Sequence, residues 1–448
     1  MKDIIVSQNR GPFALIWVLA FAMVVSVMNS TMFNVALPVL RREFALSSSQ
    51  VSWVVTAYII VYAIGSVTYG KLADKFGLKN MITFGLLCFA AGSVIGMSAT
   101  GFGMIIAGRV LQSIGASVIP ASSMLIPIRY VSAAQRGRAL GITSAGMALG
   151  TAIGPIVAGF LLGFASWRFL FAISLLVLIA LPFFRRYLHA EPSAAGKADL
   201  PGGLLLAASI ALLLLAITGR SWGFGLATIV AFLLFAWRIR STDQPFIDPG
   251  IFRIGRYTTG LIVGCMALTL NLCVPYLIPQ LLSGAHGLDS LHTGLVMFPG
   301  AVVAALLGLV GGRIADAKGS AFLFGWAFAL QLLGYAALFL WSGMGEWSVA
   351  VLLIAVNTGL TFAQITLANT VTRTLNGPQT GVGMGVYMMS SFIAGAVGTS
   401  VLGSVLDGKA GDSGTFGSIF GVFAIWILAA AAVYFAVFAK KPASGSSV

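Results

Sequence analysis

Read for charge alone, the chain divides into long silent stretches. Fourteen runs of at least sixteen residues hold no Asp, Glu, Lys or Arg: 11–40, 44–70, 80–108, 110–128, 139–167, 169–184, 200–219, 221–237, 257–288, 290–312, 319–345, 347–372, 374–406 and 413–439. Crossing a hydrocarbon core of about 30 Å takes roughly 20 apolar helical residues. Most runs reach that length, so the pattern predicts fourteen membrane spans; a twelve-span reading would discard 200–237. The shortest runs, 169–184 and 221–237, reach bilayer length if Arg168, Arg185 or Arg238 snorkel to the interface. Thr100 to Gly103 is a better turn than the charge at 109, which places Arg109 inside the fourth span.

Composition agrees, because 58% hydrophobic and 8% charged residues in 448 leave too little polar surface for a water-soluble globule. With the N-terminus in the cytoplasm, 20 of the 26 Lys and Arg fall on the inner side and five (Arg41, Arg42, Arg168, Arg220 and Lys409) outside. Both termini are therefore expected to be cytoplasmic, in a multi-pass protein of the cell membrane, here a bacterial plasma membrane. The net charge of +14 is scattered over short loops rather than gathered in a patch, which argues against nucleic acid as a partner. The first run is long for a secretory segment and lacks a small-residue cleavage pattern, so it is expected to be retained. Cys88, Cys265 and Cys273 all fall in spans, and Cys265 and Cys273 would lie about 12 Å apart on one helix, beyond disulfide reach.

The chain also repeats itself. "GKLADKFG" at 70–77 returns as "GRIADAKG" at 312–319, which sets Asp316 opposite Asp74. The segment "RGRALGITSAGMALGTAIGPIVAGFL" from Arg136 aligns with "TGVGMGVYMMSSFIAGAVGTSVLGSV" from Thr380, Gly154 over Gly398 and Gly159 over Gly403. Two matches at nearly one offset make the first six and last six spans repeats. The expected fold is an all-α polytopic membrane protein: an N-terminal six-helix bundle (11–186), two inserted helices with their connectors (187–256) and a C-terminal six-helix bundle (257–439). Parallel repeats around a central site are the architecture of rocker-switch transporters.

The stretches "NVALP" (34–38), "GKLADKFGLK" (70–79), "GRVLQSIGAS" (108–117), "GTAIGP" (150–155) and "TDQPFIDPGIF" (242–252) carry a family likeness. Over nearly its whole length the chain resembles the fourteen-span drug/proton antiporter branch of the major facilitator superfamily, and within it most closely the Gram-positive tetracycline exporters. In the 70–77 turn, Gly70 and Gly77 permit a tight reversal and Lys71 anchors it at the anionic inner surface. The resemblance implies that Gly70, Lys71, Asp74 and Gly77, with Asp316 as a weaker twin, latch one conformation of an alternating-access cycle.

Arg109, roughly 8 Å below the end of its span, would cost several kcal/mol if unpaired. It either snorkels and satisfies backbone carbonyls or, with Gln112 one turn on, sits near the cavity; the family's matching arginine implies a part in coupling. Gly146, Gly150, Gly154 and Gly159 present small residues to a neighbouring helix, and Pro155 kinks their helix. The resemblance implies that this antiporter motif seals the halves against leakage. Candidate solute contacts are Asn29, Asn34 and Tyr58, with Ser30 beside them, in the first half, and Asn271, Tyr276, Asn357, Gln364 and Tyr387 in the second. As a group they suit a large, partly apolar small-molecule solute, although each alone is as readily an interhelical hydrogen bond.

All twelve acids fall in loops or at span ends. Family members that exchange protons for cationic drugs carry acids in spans 1, 5 and 13, where this chain reads "MNSTM", "GTAIGP" and "FIAGA". His286, Asp289 and His292 remain as titratable groups near one membrane face. The expected function is a secondary exporter of amphipathic drugs or metabolites, with protons as the implied counter-ion and no metal or cofactor. The alternative is an exporter or facilitator of an anionic or zwitterionic metabolite whose partner is Arg109. A membrane-embedded enzyme would need paired acids, a ligand cluster or an activated nucleophile, and the chain offers none.

Overall fold

The computed structural model describes residues 11–132, 135–189, 199–242, 245–340, 345–375, 380–409 and 412–438. Among these residues the regular structure is helical, with no strand, and fourteen helices are long and apolar enough to cross a membrane. Spans 1 to 6 are Phe13–Glu43, Ser48–Tyr69, Leu78–Met97, Phe102–Pro127, Gly141–Phe164 and Arg168–Tyr187. Spans 7 and 8 are Leu200–Gly219 and Trp222–Ser241. Spans 9 to 14 are Gly255–Gly284, Ser290–Ala315, Ser320–Leu340, Glu346–Thr372, Val382–Leu406 and Ser413–Phe438.

Spans 6 and 8 reach twenty residues by taking in Arg168, Arg185 and Arg186 in the first case and Arg238 and Arg240 in the second. Their cationic ends supply the length that the apolar runs lacked. The turn between spans 3 and 4 falls at 98–101, so Arg109 lies two turns inside span 4. Span 4 breaks at Ser117, between helices ending at Ala116 and starting at Val118. Pro120 is the reason, since it has no N–H to give the carbonyl four residues earlier.

The packing follows the repeat. Span 5 lies between span 1 and span 10, and span 13 lies between span 9 and span 2, so each half lends one helix to the other. The correspondence reaches individual caps. Ser47 accepts from Gln50 N at the start of span 2, and Asp289, 242 residues later, accepts from His292 N at the start of span 10. That backbone N–H holds the Asp289 carboxyl below its ordinary value. The turns that follow spans 2 and 10 both end on glycine at positive φ, Gly77 at 73° and Gly319 at 89°, a region other residues enter at a cost. The helix runs on past span 2 through Phe76 and past span 10 through Lys318. The latch candidates Gly70, Lys71, Asp74 and Asp316 sit on these extensions, but their side chains lie outside the described residues.

Spans 7 and 8 form a hairpin against each other, and span 7 touches both span 2 and span 13. Span 8 leaves Trp222, Leu226, Leu233 and Trp237 exposed, which suits a helix facing lipid. The hairpin is fastened to its connector by Asp199. The carboxylate, only 1% exposed, accepts from Gly202 N (3.0 Å), Arg238 Nε (3.0 Å) and Phe246 N (3.2 Å) and pairs with the second Arg238 nitrogen at 3.0 Å.

Candidate functional site

The polar centre of the N-terminal half is built around Arg109, which is fully buried. Its Nε donates to Val54 O at 3.1 Å, and one terminal nitrogen donates to Asn29 Oδ1 at 2.7 Å and Gln112 Oε1 at 3.0 Å. The guanidinium plane lies between the rings of Phe33 and Tyr58, 4.1 and 4.0 Å from their centroids. Two cation–π contacts in a desolvated site offset part of the cost of burying the charge, at about 2 kcal/mol each. Asn29 Nδ2 continues to Ser174 Oγ at 2.6 Å, and Gln112 Nε2 to Ser93 Oγ at 2.8 Å. The network thus joins spans 1, 2, 3, 4 and 6 without a carboxylate. The second terminal nitrogen of Arg109 is buried and has no partner.

The structure therefore brings Asn29, Tyr58, Arg109 and Gln112 together, and engages both polar ends of Asn29 and of Gln112 inside the half. The C-terminal half is different. Asn271, 242 residues after Asn29, is half-buried and makes no side-chain hydrogen bond, as do Asn357 and Gln364. The counterpart of Arg109 falls in 351–353, which reads Val-Leu-Leu, so no cation is there to occupy Asn271. Asn34 is buried with its Oδ1 unpartnered, and Tyr387 is buried with its hydroxyl unpartnered and its ring against Gly264. Tyr276 stands apart from these, donating across the halves to Ser48 O at 3.1 Å. Ser93, Ser174 and Gln280, whose Nε2 is buried and unpartnered, are polar groups that sequence reasoning did not single out. Nothing in their local sequence distinguishes them from other small or amide residues in apolar helices.

Among the described residues every carboxylate stands at a span end or outside a span. Glu43 accepts from Trp167 Nε1 at 2.7 Å, and Asp412 accepts from Gly414 and Thr415 within its own turn. His292 faces Asp289 at 2.9 Å on an exposed turn.

The glycine strip of span 5 divides its neighbours. A methyl group added at Gly146 would come within 2.8 Å of Ala20 O, one at Gly150 within 2.7 Å of Val24 O, and one at Gly154 would collide with Thr31. These three seat span 5 on span 1. Gly159 faces the other half, where a methyl would lie 2.7 Å from Ser290 O, and a methyl added at Gly294 would lie 2.6 Å from the backbone carbonyl of Pro155. Gly403 repeats the arrangement on span 13, where a methyl would lie 3.0 Å from Ser48 O. Gly159→Ala is expected to push spans 5 and 10 apart and to lower transport by an order of magnitude or more, since neither neighbour is a flexible side chain. Gly163→Ala, which meets only the Leu291 side chain at 3.6 Å, is expected to be tolerated. Solute flux measured on the two variants side by side checks the contrast, and equal activity would refute it.

The profile of the Major Facilitator Superfamily matches residues 19–399. Among curated proteins, the chain is 28% identical over 332 residues to the riboflavin transporter RibZ of Clostridioides difficile (strain 630), covering 72% of each chain. It is 27% identical over 375 residues to the methylenomycin A resistance protein of Bacillus subtilis (strain 168), covering 80% of each. Among solved structures, a bacterial homologue of the human lysosomal transporter Spinster, inward-facing and unoccupied, superposes with a TM-score of 0.68 at 14% identity over 96% of this chain and 98% of that one. A peptide transporter of the POT family superposes with a TM-score of 0.71 at 16% identity over 94% of each. The family profile, the fourteen helices and the shared fold lead to one conclusion: this chain is a membrane transporter belonging to the Major Facilitator Superfamily, and not an enzyme.

Proposed function

We propose that the protein is a secondary exporter of amphipathic drugs or metabolites, working by alternating access of the halves 11–186 and 257–439 around a central site, with 187–256 as an inserted element. Its termini and the 70–77 and 312–319 turns face the cytoplasm of a bacterial cell. The carrying observation is the asymmetry of the polar groups: Asn29 is consumed by Arg109, whereas Asn271, Asn357 and Gln364 are half-buried and unbonded. An amide without a partner is costly against lipid, so such groups mark polar space inside the protein. Neutral amides, in a candidate set that also includes Tyr387, suit a solute with a flat apolar body and several heteroatoms. A flavin fits that description, and two relatives carry a riboflavin-transport and an antibiotic-resistance name. A second reading, an anionic or zwitterionic solute, draws on the unpartnered nitrogen of Arg109.

Purified protein in liposomes with an internal pH dye tests both readings against riboflavin, tetracyclines, cationic dyes and small anionic metabolites. Solute-evoked proton movement that requires the protein supports antiport; solute flux without proton movement removes the counter-ion from the proposal. Asn271→Ala, Asn357→Ala and Gln364→Ala are expected to raise KM by about two- to tenfold with little change in kcat, the loss of one hydrogen bond each. Unchanged KM in all three would move the site elsewhere. In the same assay Asp74→Asn is expected to lose transport while expression holds, and full activity would remove the 70–77 turn from the latch.

A further inference from the structure

At the membrane face opposite the ends of the described chain at 11 and 438, the two halves meet along spans 2 and 13, and among the described residues one carboxylate bonds across the seam. Asp407, directly after span 13, reaches the first turn of span 2. Its carboxylate accepts from Ser49 N at 2.9 Å and from Ser49 Oγ at 2.6 Å. It thereby occupies a free N–H at a helix N-terminus, where a negative charge is favoured by the helix dipole. Around it, Ser48 Oγ donates to Leu406 O at 3.4 Å, Tyr276 OH to Ser48 O, and Arg41 holds Ser48 Oγ at 3.1 Å.

The inserted hairpin closes over the same seam. Trp53 of span 2 donates to Thr218 of span 7 at 3.2 Å, and Ser404 of span 13 donates to Ile217 O at 3.5 Å. The span 7 tip ends at Arg220, a non-glycine residue in the left-handed region at φ 47°, whose guanidinium reaches Ser404 O at 3.5 Å. Arg220, Gln50 and Asp407 line an open recess of about 410 Å³ beside the clasp.

The repeat shows that this clasp is not a by-product of the architecture. Its sister seam, between spans 5 and 10, is built from the same glycine contact, Gly159 on Ser290 against Gly403 on Ser48. The counterpart of Asp407 there is Gly163, which meets only Leu291. Among the described residues, one seam of the two has a carboxylate hydrogen-bonded across it.

We propose that Asp407 is a positioning residue for transport, the clasp that holds the halves closed at this face, and that the span 7 tip backs it. This rests on the alternating-access reading above, and gives the inserted hairpin a part in the cycle. Opening the face separates Asp407 from Ser49, so removing the carboxylate shifts the balance toward the open state without touching solute.

The test places spin labels at Arg42→Cys and Lys409→Cys, two exposed sites on opposite halves, in a full-length chain whose three cysteines are replaced by alanine. The distance distribution is read by double electron–electron resonance in lipid nanodiscs. Asp407→Ala is expected to raise the ratio of long to short distances about tenfold, the loss of a charge-assisted pair of hydrogen bonds. Asp407→Asn, which keeps an accepting oxygen, is expected to raise it less, and Asp412→Ala, whose partners are all in its own turn, not at all. Should the alanine variant fail to fold, Asp407→Asn and Ser49→Ala carry the test. Two distances whose ratio these variants leave unchanged overturn the clasp. A single distance in every chain overturns the clasp and the alternating-access reading together.

Discussion

Arg109→Leu is expected to cost on the order of 5 kcal/mol of stability and to abolish transport. Leucine relieves the burial of a charge, which on its own stabilises. It also leaves Val54 O, Asn29 Oδ1 and Gln112 Oε1 facing an apolar side chain, and each buried acceptor without a donor costs about 1–3 kcal/mol. Two cation–π contacts go as well. Three orphaned acceptors and two lost ring contacts outweigh the relief. Arg109→Lys is expected to rescue little, because an ammonium cannot lie flat between Phe33 and Tyr58 while donating in three directions. The triple variant Asn29→Leu/Arg109→Leu/Gln112→Leu removes two of the three orphans and is expected to regain most of the stability, read as the thermal unfolding midpoint in detergent. Transport is expected to stay lost in it, since Arg109 is the one charge deep within the described spans. Recovery of transport with stability would reduce Arg109 to a structural role.

Asp199→Ala is expected to cost about 3 kcal/mol and to release the span 7–8 hairpin from its connector. Removing one partner of a buried ion pair leaves the other uncompensated, a loss of about 3–5 kcal/mol. The lower end applies because Arg238 is a third exposed and can turn to the interface. The same substitution strips Gly202 N and Phe246 N of their acceptor. Asp199→Asn is expected to lose about half as much, since an amide oxygen can still take one of the backbone donors. Unfolding midpoints, with protease cleavage near 245–253 as a local readout, check both. An unchanged midpoint and cleavage pattern for Asp199→Ala would mean that spans 7 and 8 are held by lipid and apolar packing alone. A detached hairpin would also loosen the Trp53–Thr218 contact at the far face, so this variant and Asp407→Ala are expected to be non-additive.

What could be read in advance was whatever depends on neighbours along the chain. Charge-free runs of bilayer length gave fourteen helices and kept Arg109 inside a span, with the turn expected at 100–103 and found at 98–101, because the price of exposing backbone polar groups to lipid leaves a long apolar run only one local structure. The offsets of 242 and 244 already paired Gly159 with Gly403, and the structure seats both on the first residue of a partner helix.

Helix rotation is another matter. Asn29 and Asn271 are repeat mates, indistinguishable as polar residues in apolar spans. One is bonded at both ends and the other at neither, a difference made by Arg109, which lies 80 residues from the first and has no cation at its repeat position, 351–353, in the other half. Asp407 was visible as an acid at a span end, but its partner is 358 residues away. Asp199 and Arg238 were separated by a whole hairpin. The sequence by itself thus determined how many helices cross the membrane and which halves repeat, since these follow from local hydrophobicity and spacing. Which polar groups satisfy one another was decided only by the tertiary structure, because a hydrogen bond depends on two helix faces meeting at one height, and the linear order of residues does not specify that.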